Sequence, residues 1–229
     1  TGEYRELSPM PVPVDDAVSL VYQDRYVYLV SGWHDSGNVN LVQVYELGAD
    51  RWFQATPFPG RPVFGHAGGM ADGRMVICDG VGLRTPATGP RGFEAVSACY
   101  LGEIESDDPT RIRWRRLPHH GGPGTYRMAA TGSAALGMIV FAGGSDNPYN
   151  YAGIGYDGEP SAPSGRVFAW DLAAGVWQEL GALPQPSMDH RGLLETPEGF
   201  VIVGGMHTDQ TVTDAVTRLD LPPPPAEID

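Results

Sequence analysis

Positive charge is scarce in this chain: 15 Lys+Arg stand against 28 Asp+Glu, a formal net charge of -13 over 229 residues. Nucleic acid and anionic membrane surfaces are gripped through basic patches, so this balance argues against both as partners. The one basic cluster, Arg111 to Arg116, is divided by Trp114. Because alternate residues of a strand face opposite ways, it reads as the solvated face of an outer strand. No apolar run approaches the roughly 20 residues of a membrane-spanning helix, so membrane insertion is not expected. No window keeps apolar residues at helical spacing for three turns, and no glycine-rich phosphate loop leads from a strand into a helix. HExxH and paired Cys and His spacings are missing too, so neither a metal nor another cofactor is expected. Cysteine is limited to Cys78 and Cys99, too few for a disulfide framework. They read either as two small buried apolar side chains or, being on neighbouring strands of one sheet, as a cross-strand disulfide. No signal peptide is visible; the chain opens on Thr1 rather than Met, which leaves an upstream segment open.

What is abundant is turn chemistry, with Gly 31 and Pro 21, and it punctuates a recurring unit. In Phe168 to Pro186, FAWDLAAGVWQELGALPQP, an aromatic and Asp-Leu lead through a small-residue turn to a second aromatic and a Leu-Pro exit. Tyr45-Glu46-Leu47 with Trp52 and Pro57 repeats it, and Trp114 with Leu117-Pro118 repeats its second half. Units recurring at such a period cannot bury their apolar faces alone and must stack. The expected fold is all-β: one domain over 1–229, with four four-stranded antiparallel meanders at about 12–59, 60–120, 121–185 and 186–221. The expected second strands are Tyr26 to Val30, Arg74 to Cys78, Met138 to Ala142 and Phe200 to Val203. In the second unit the third strand is expected over Glu94 to Leu101, with GEIESDDPT as an acidic hairpin insertion before Arg111 to Leu117. The last unit lacks a fourth strand before Pro222-Pro223-Pro224-Pro225, while Tyr4 to Leu7, within 3–8, is an outer strand with no sheet of its own. That N-terminal strand either completes the last sheet, which would protect its edge, or belongs to a unit upstream of Thr1.

Double glycines follow the second strands at Gly143-Gly144 and Gly204-Gly205, with Ser31-Gly32 and Asp79-Gly80 as departures, and an aromatic precedes a Trp by about seven residues. On these residues nearly the whole chain resembles the kelch-repeat β-propeller family. The resemblance implies a kelch-type propeller of four blades, similar to the galactose oxidase propeller and to sialic acid mutarotases of secreted bacterial members. It also implies a periplasmic or secreted location. Six or seven blades are usual in that family, so a closed four-bladed ring and a piece of a larger six-bladed ring both stand. Galactose oxidase copper chemistry is not implied, because the Cys joined to a Tyr and its partner ligands have no counterpart here. Trp52, Trp114 and Trp177 are expected to pack between blades, each contributing roughly 2 kcal/mol of burial.

Meander topology sends the loops between second and third strands, and the exits to the next blade, to one face. All six histidines, His34, His66, His119, His120, His190 and His207, fall there, with Asp15, Asp16, Asp35, Arg84, Arg91, Asp146, Asp189, Arg191 and Asp209. The long loop from Gly144 to Ser164 adds Tyr149, Tyr151 and Tyr156 among Asn147, Asn150, Asp157 and Glu159. Flat rings beside hydrogen-bonding groups suit a sugar; equally, the tyrosines could pack this loop on its neighbour. His34, Asp35, Arg84, Asp146, Tyr149, Tyr151, Tyr156 and His207 are therefore the candidate ligand-binding residues. Just before the innermost strands, Asp16, His66, Arg127, Asp189, His190 and Arg191 should ring the channel mouth as catalytic candidates. A carboxylate and an imidazole could move a proton, and Arg127 or Arg191 could hold an acid group. The same charges could instead pair to tie blades together. Two functions follow: a module binding a glycan or protein on its loop face, or an enzyme such as a mutarotase or epimerase of an acidic sugar.

Overall fold

The computed structural model of the chain describes residues 2–84 and 92–221. Thr1, Arg91 and the run of prolines from Pro222 lie outside the described residues. The first sheet is a meander of Val18–Tyr22, Tyr26–Val30, Val42–Glu46 and Arg51–Gln54. Its strands are rich in β-branched and aromatic residues, and left-handed Gln23 and Asp24 make the first turn. The second sheet contains Ala67–Ala71, Arg74–Cys78, Cys99–Glu105 and Asp108–Leu117. The third contains Ala129–Ser133, Met138–Ala142, Arg166–Asp171 and Val176–Ala182. The fourth has Leu194–Thr196, Gly199–Met206 and Val212–Leu219 among the described residues. A single 3-10 turn, Thr208–Gln210, is the only helical element described.

Three apolar layers lie between successive sheets. Val30, Val42 and Val44 meet Met75 and Ile77; Cys99 and Leu101 meet Ile139, Phe141 and Trp170; Val140 and Val167 meet Phe200 and Ile202. The innermost strands of all four sheets line one central cavity of about 370 Å³. Four antiparallel sheets around a common cavity make this a four-bladed β-propeller arrangement. Neighbouring blades come closest at their inner strands, where a Cβ on Gly132 would lie 2.0 Å from the Met70 carbonyl oxygen. Glycine is required there because the neighbouring backbone occupies the side-chain position.

Two expectations need correction. The third strand of blade 2 begins at Cys99, and the acidic segment is not an insertion, because the two outer strands continue through it. Glu103 and Glu105 face Arg113 and Arg111 across this pair at 3.9 and 3.2 Å, so complementary charges favour continued pairing. Gly92–Ala95 instead pairs with Val81–Arg84 in a separate ribbon on the loop face. The two cysteines are bonded, with Cys78 directly opposite Cys99 and an S–S distance of 2.06 Å.

The second correction concerns residues 3–8, which form no strand and do not complete the last blade. They lie along blade 1: Ser8 N donates to Asp50 Oδ1 at 2.8 Å, and Trp52 Nε1 donates to the Ser8 carbonyl at 2.8 Å. The cause is a repeated device. Trp114 Nε1 donates to the Thr56 carbonyl at 3.4 Å, and Trp177 Nε1 to the Pro118 carbonyl at 2.7 Å. Each outer-strand Trp fastens the segment leaving the blade before it, and Tyr4 to Leu7 lead into that same position ahead of blade 1.

Candidate functional site

On the loop face, one residue before each inner strand departs from extended geometry. Asp16, Gly65, Arg127 and Asp189 occupy equivalent places with φ of 53, 58, 53 and 64°. Their backbones form a chain across the blades: Gly65 N donates to Asp16 O (2.9 Å), Arg127 N to Gly65 O (2.7 Å), and His190 N to Arg127 O (3.2 Å). The side chains then converge. Arg127 donates to Asp16 Oδ2 at 2.6 Å and to Asp189 Oδ1 at 2.7 Å, while Arg191 lies 3.2 Å from Asp189 and 3.5 Å from Asp16. Two cations and two carboxylates thus neutralise each other at the channel mouth, joining blades 1, 3 and 4. The Tyr126 ring stacks under Arg127 at 4.8 Å and covers Gly65, where a Cβ would lie 1.9 Å from the ring.

His66 and His190 come one residue later in blades 2 and 4. Both contribute to the cavity wall, yet their rings are buried between blades. His66 Nε2 donates to the Val30 carbonyl of blade 1 at 2.8 Å, and the His190 ring bonds to the Ser187 backbone. Burial pulls each imidazole from 6.5 down to about 4, so both are neutral at neutral pH.

Farther out, the blade 2 ribbon and the long blade 3 loop enclose a cleft of about 390 Å³, lined by Arg84, Gly92, Phe93, Asn147, Pro148, Tyr156 and Asp157. Tyr156 packs on Phe93 with ring centroids 4.4 Å apart, and Asn147 donates to both Asp157 oxygens at 3.1 Å. The cleft therefore has an aromatic edge, a guanidinium and an amide–carboxylate pair. Tyr149 is buried, edge-on to Tyr126 at 5.1 Å, which makes it a packing residue of this loop. Tyr151 is fully exposed and apart from the cleft. Asp146 lines a different recess with Thr125 and Arg166. His34 and His207 sit at matching places on blades 1 and 4, each bonding a lead-in carbonyl, Pro13 at 2.7 Å and Pro186 at 3.0 Å; Asp35 pairs with His34.

The predicted residues thus separate into a mouth group (Asp16, Arg127, Asp189, Arg191), a cleft pair (Arg84, Tyr156) and scattered positions. Phe93 was missed, since nothing marks an aromatic beside a loop glycine. A third grouping was missed as well: Asp79 with His119 and His120, each imidazole Nε2 2.8 Å from a carboxylate oxygen. Its one signal is an Asp standing where other blades have Ser or Gly.

No family model matches the chain, and no curated protein matches it. Solved structures do match, among them that of YjhT, at 16% identity over 92% of this chain and 82% of that one, with a TM-score of 0.47.

Proposed function

We propose that this chain is a kelch-type β-propeller binding module whose loop face takes a glycan. The observation carrying this reading is the cleft between the blade 2 ribbon and the blade 3 loop. A sugar ring presents an apolar face and a rim of hydroxyls, and the Phe93–Tyr156 edge with Arg84, Asn147 and Asp157 offers the complement to both. The kelch assignment is supported by paired left-handed backbone in every blade: Ser31-Gly32, Asp79-Gly80 and Gly143-Gly144 follow the second strand, Gly204-Gly205 interrupt the pairing of Gly199–Met206, and all have positive φ at both residues. The buried Cys78–Cys99 disulfide supports a periplasmic or secreted location, where such bonds persist.

Binding is favoured over mutarotase or epimerase catalysis by the way the acid–base candidates are used. Arg127 is held by two carboxylates, and His66 and His190 are buried between blades. Glycan-array binding of the full chain, with Arg84→Ala and Tyr156→Ala alongside, tests the proposal. Saturable binding weakened roughly 10-fold or more by either substitution is expected. Binding unaffected by both would remove the cleft from the reading, and a silent array would turn it toward a protein ligand. Accelerated anomer exchange of an acidic sugar, lost in Arg191→Ala, would replace it with the enzyme.

A further inference from the structure

We propose that Asp79, His119 and His120 form a binding site for a divalent first-row transition cation of the zinc type. Asp79 stands at the first of the paired left-handed positions, with φ of 63°, where blades 1, 3 and 4 have Ser31, Gly143 and Gly204. Blade 1 shows what the fold needs at this place. There the Val63 N–H donates to Ser31 Oγ at 3.0 Å, which ties in the segment leading to the next blade. In blade 2 the equivalent Thr125 N–H donates to Asp79 Oδ2 at 2.9 Å, so one carboxylate oxygen does the work of the serine hydroxyl. The second oxygen and the negative charge exceed that requirement.

The surplus faces two imidazoles. His119 Nε2 lies 2.8 Å from Asp79 Oδ1 and His120 Nε2 lies 2.8 Å from Oδ2; the Asp79 side chain is fully buried, and no Arg pairs with it among the described residues. A buried carboxylate without a fixed cation is costly, and a divalent ion between the three groups would neutralise it. The neighbouring Cys99 sulfur is already bonded to Cys78, so the donor set is two imidazoles and one carboxylate, of which only His119 is partly exposed. That set favours zinc-like ions over calcium or magnesium, which prefer oxygen alone. Tetrahedral metal–ligand bonds of about 2.0–2.2 Å hold ligand atoms roughly 3.4 Å apart, so each 2.8 Å carboxylate–imidazole contact must open by about half an ångström, within a group whose donor atoms all lie within 4.8 Å of one another.

The surroundings of His120 supply the second requirement. Its Nδ1 lies 2.8 Å from the Gly121 carbonyl and 2.8 Å from Arg166 Nη1, and one ring nitrogen cannot donate to the first while accepting from the second. Without metal, the Arg166 contact puts the ring proton on Nε2, toward Asp79. With metal on Nε2, the proton moves to Nδ1 and donates to Gly121, the carbonyl partner that metal-binding histidines use. Arg166 keeps the Gly121 and His120 carbonyls at 2.8 and 2.6 Å, so it loses one bond of several.

Zinc titration calorimetry and cobalt absorption spectroscopy on the untagged, chelator-stripped, oxidised full chain test this. One equivalent of Zn2+ should bind and raise the melting temperature, and Co2+ should give visible bands of mixed nitrogen and oxygen ligation without a sulfur charge-transfer band. His119→Ala, at the surface end of the group, should weaken binding by roughly 100-fold and, because it removes the partner of the buried Asp79 Oδ1, should also lower the metal-free melting temperature while the chain stays folded. Asp79→Asn keeps an acceptor for Thr125 and should also lose the ion. Absence of zinc binding in the unsubstituted chain, or equal affinity in His119→Ala, would overturn the proposal and leave a hydrogen-bonded His–Asp–His group.

Discussion

His66 is buried, with its Nε2–H on the Val30 carbonyl and no partner for Nδ1 among the described residues. Its imidazole titrates at about 4 when folded against 6.5 unfolded, because burial disfavours the charged ring, and His190 behaves alike. Between those two values the unfolded chain binds the proton and the folded chain does not. Stability should therefore be flat above pH 6.5, fall as the pH drops toward 4, and lose about 3 kcal/mol through His66 alone by the end of that window. Urea denaturation across this range checks it. His66→Gln, which can still donate to Val30, should show a visibly shallower slope, and an unchanged slope would reassign the pH dependence to other groups.

The element that organises the loop face is the four-residue girdle Asp16, Gly65, Arg127 and Asp189. It turns each incoming chain inward and links the blades through backbone hydrogen bonds. Arg127 is its keystone: largely buried, it answers two carboxylates, of which Asp16 is nearly inaccessible. Arg127→Ala would leave Asp16 buried without its main partner and should cost about 3 kcal/mol in denaturant unfolding. Arg191→Ala, removing a side chain 60% exposed, should cost less than about 1 kcal/mol. A large loss in both would mean that the mouth is one cooperative unit. The sequence places these charges at the starts of inner strands, but which charge meets which depends on how the blades are disposed around the axis. The same reason hides the histidines. Strand topology sends His66 and His190 to the loop face, and only the separation of neighbouring blades decides that their rings point between them.

For the whole molecule, the three apolar layers mean that blade 2 is sandwiched by blades 1 and 3 and cannot unfold without exposing both. The Cys78–Cys99 bond, between residues 21 apart in sequence, ties two strands at the centre of that sandwich. Closing a loop of this length restricts the unfolded chain by about 3 kcal/mol, so Cys78→Ser with Cys99→Ser should lower global stability by that order in one cooperative transition. Loss confined to a separate early transition would show that the blades unfold independently.

Much of the architecture was legible in the chain itself. Tyr26–Val30, Arg74–Cys78 and Met138–Ala142 coincide with the expected second strands, because short runs of β-branched, aromatic and apolar residues closed by left-handed turns have few other ways to fold. The outer-strand Trp residues behave as packing groups for the same local reason. The continuation of the acidic strands in blade 2, the attachment of residues 3–8 to blade 1, and the meeting of Asp79 with His119 and His120 were decided only in three dimensions. Each depends on partners tens of residues away. Hydrophobic period fixes which side of a strand is buried, whereas the contacts of a polar side chain depend on distances between blades that no local pattern encodes.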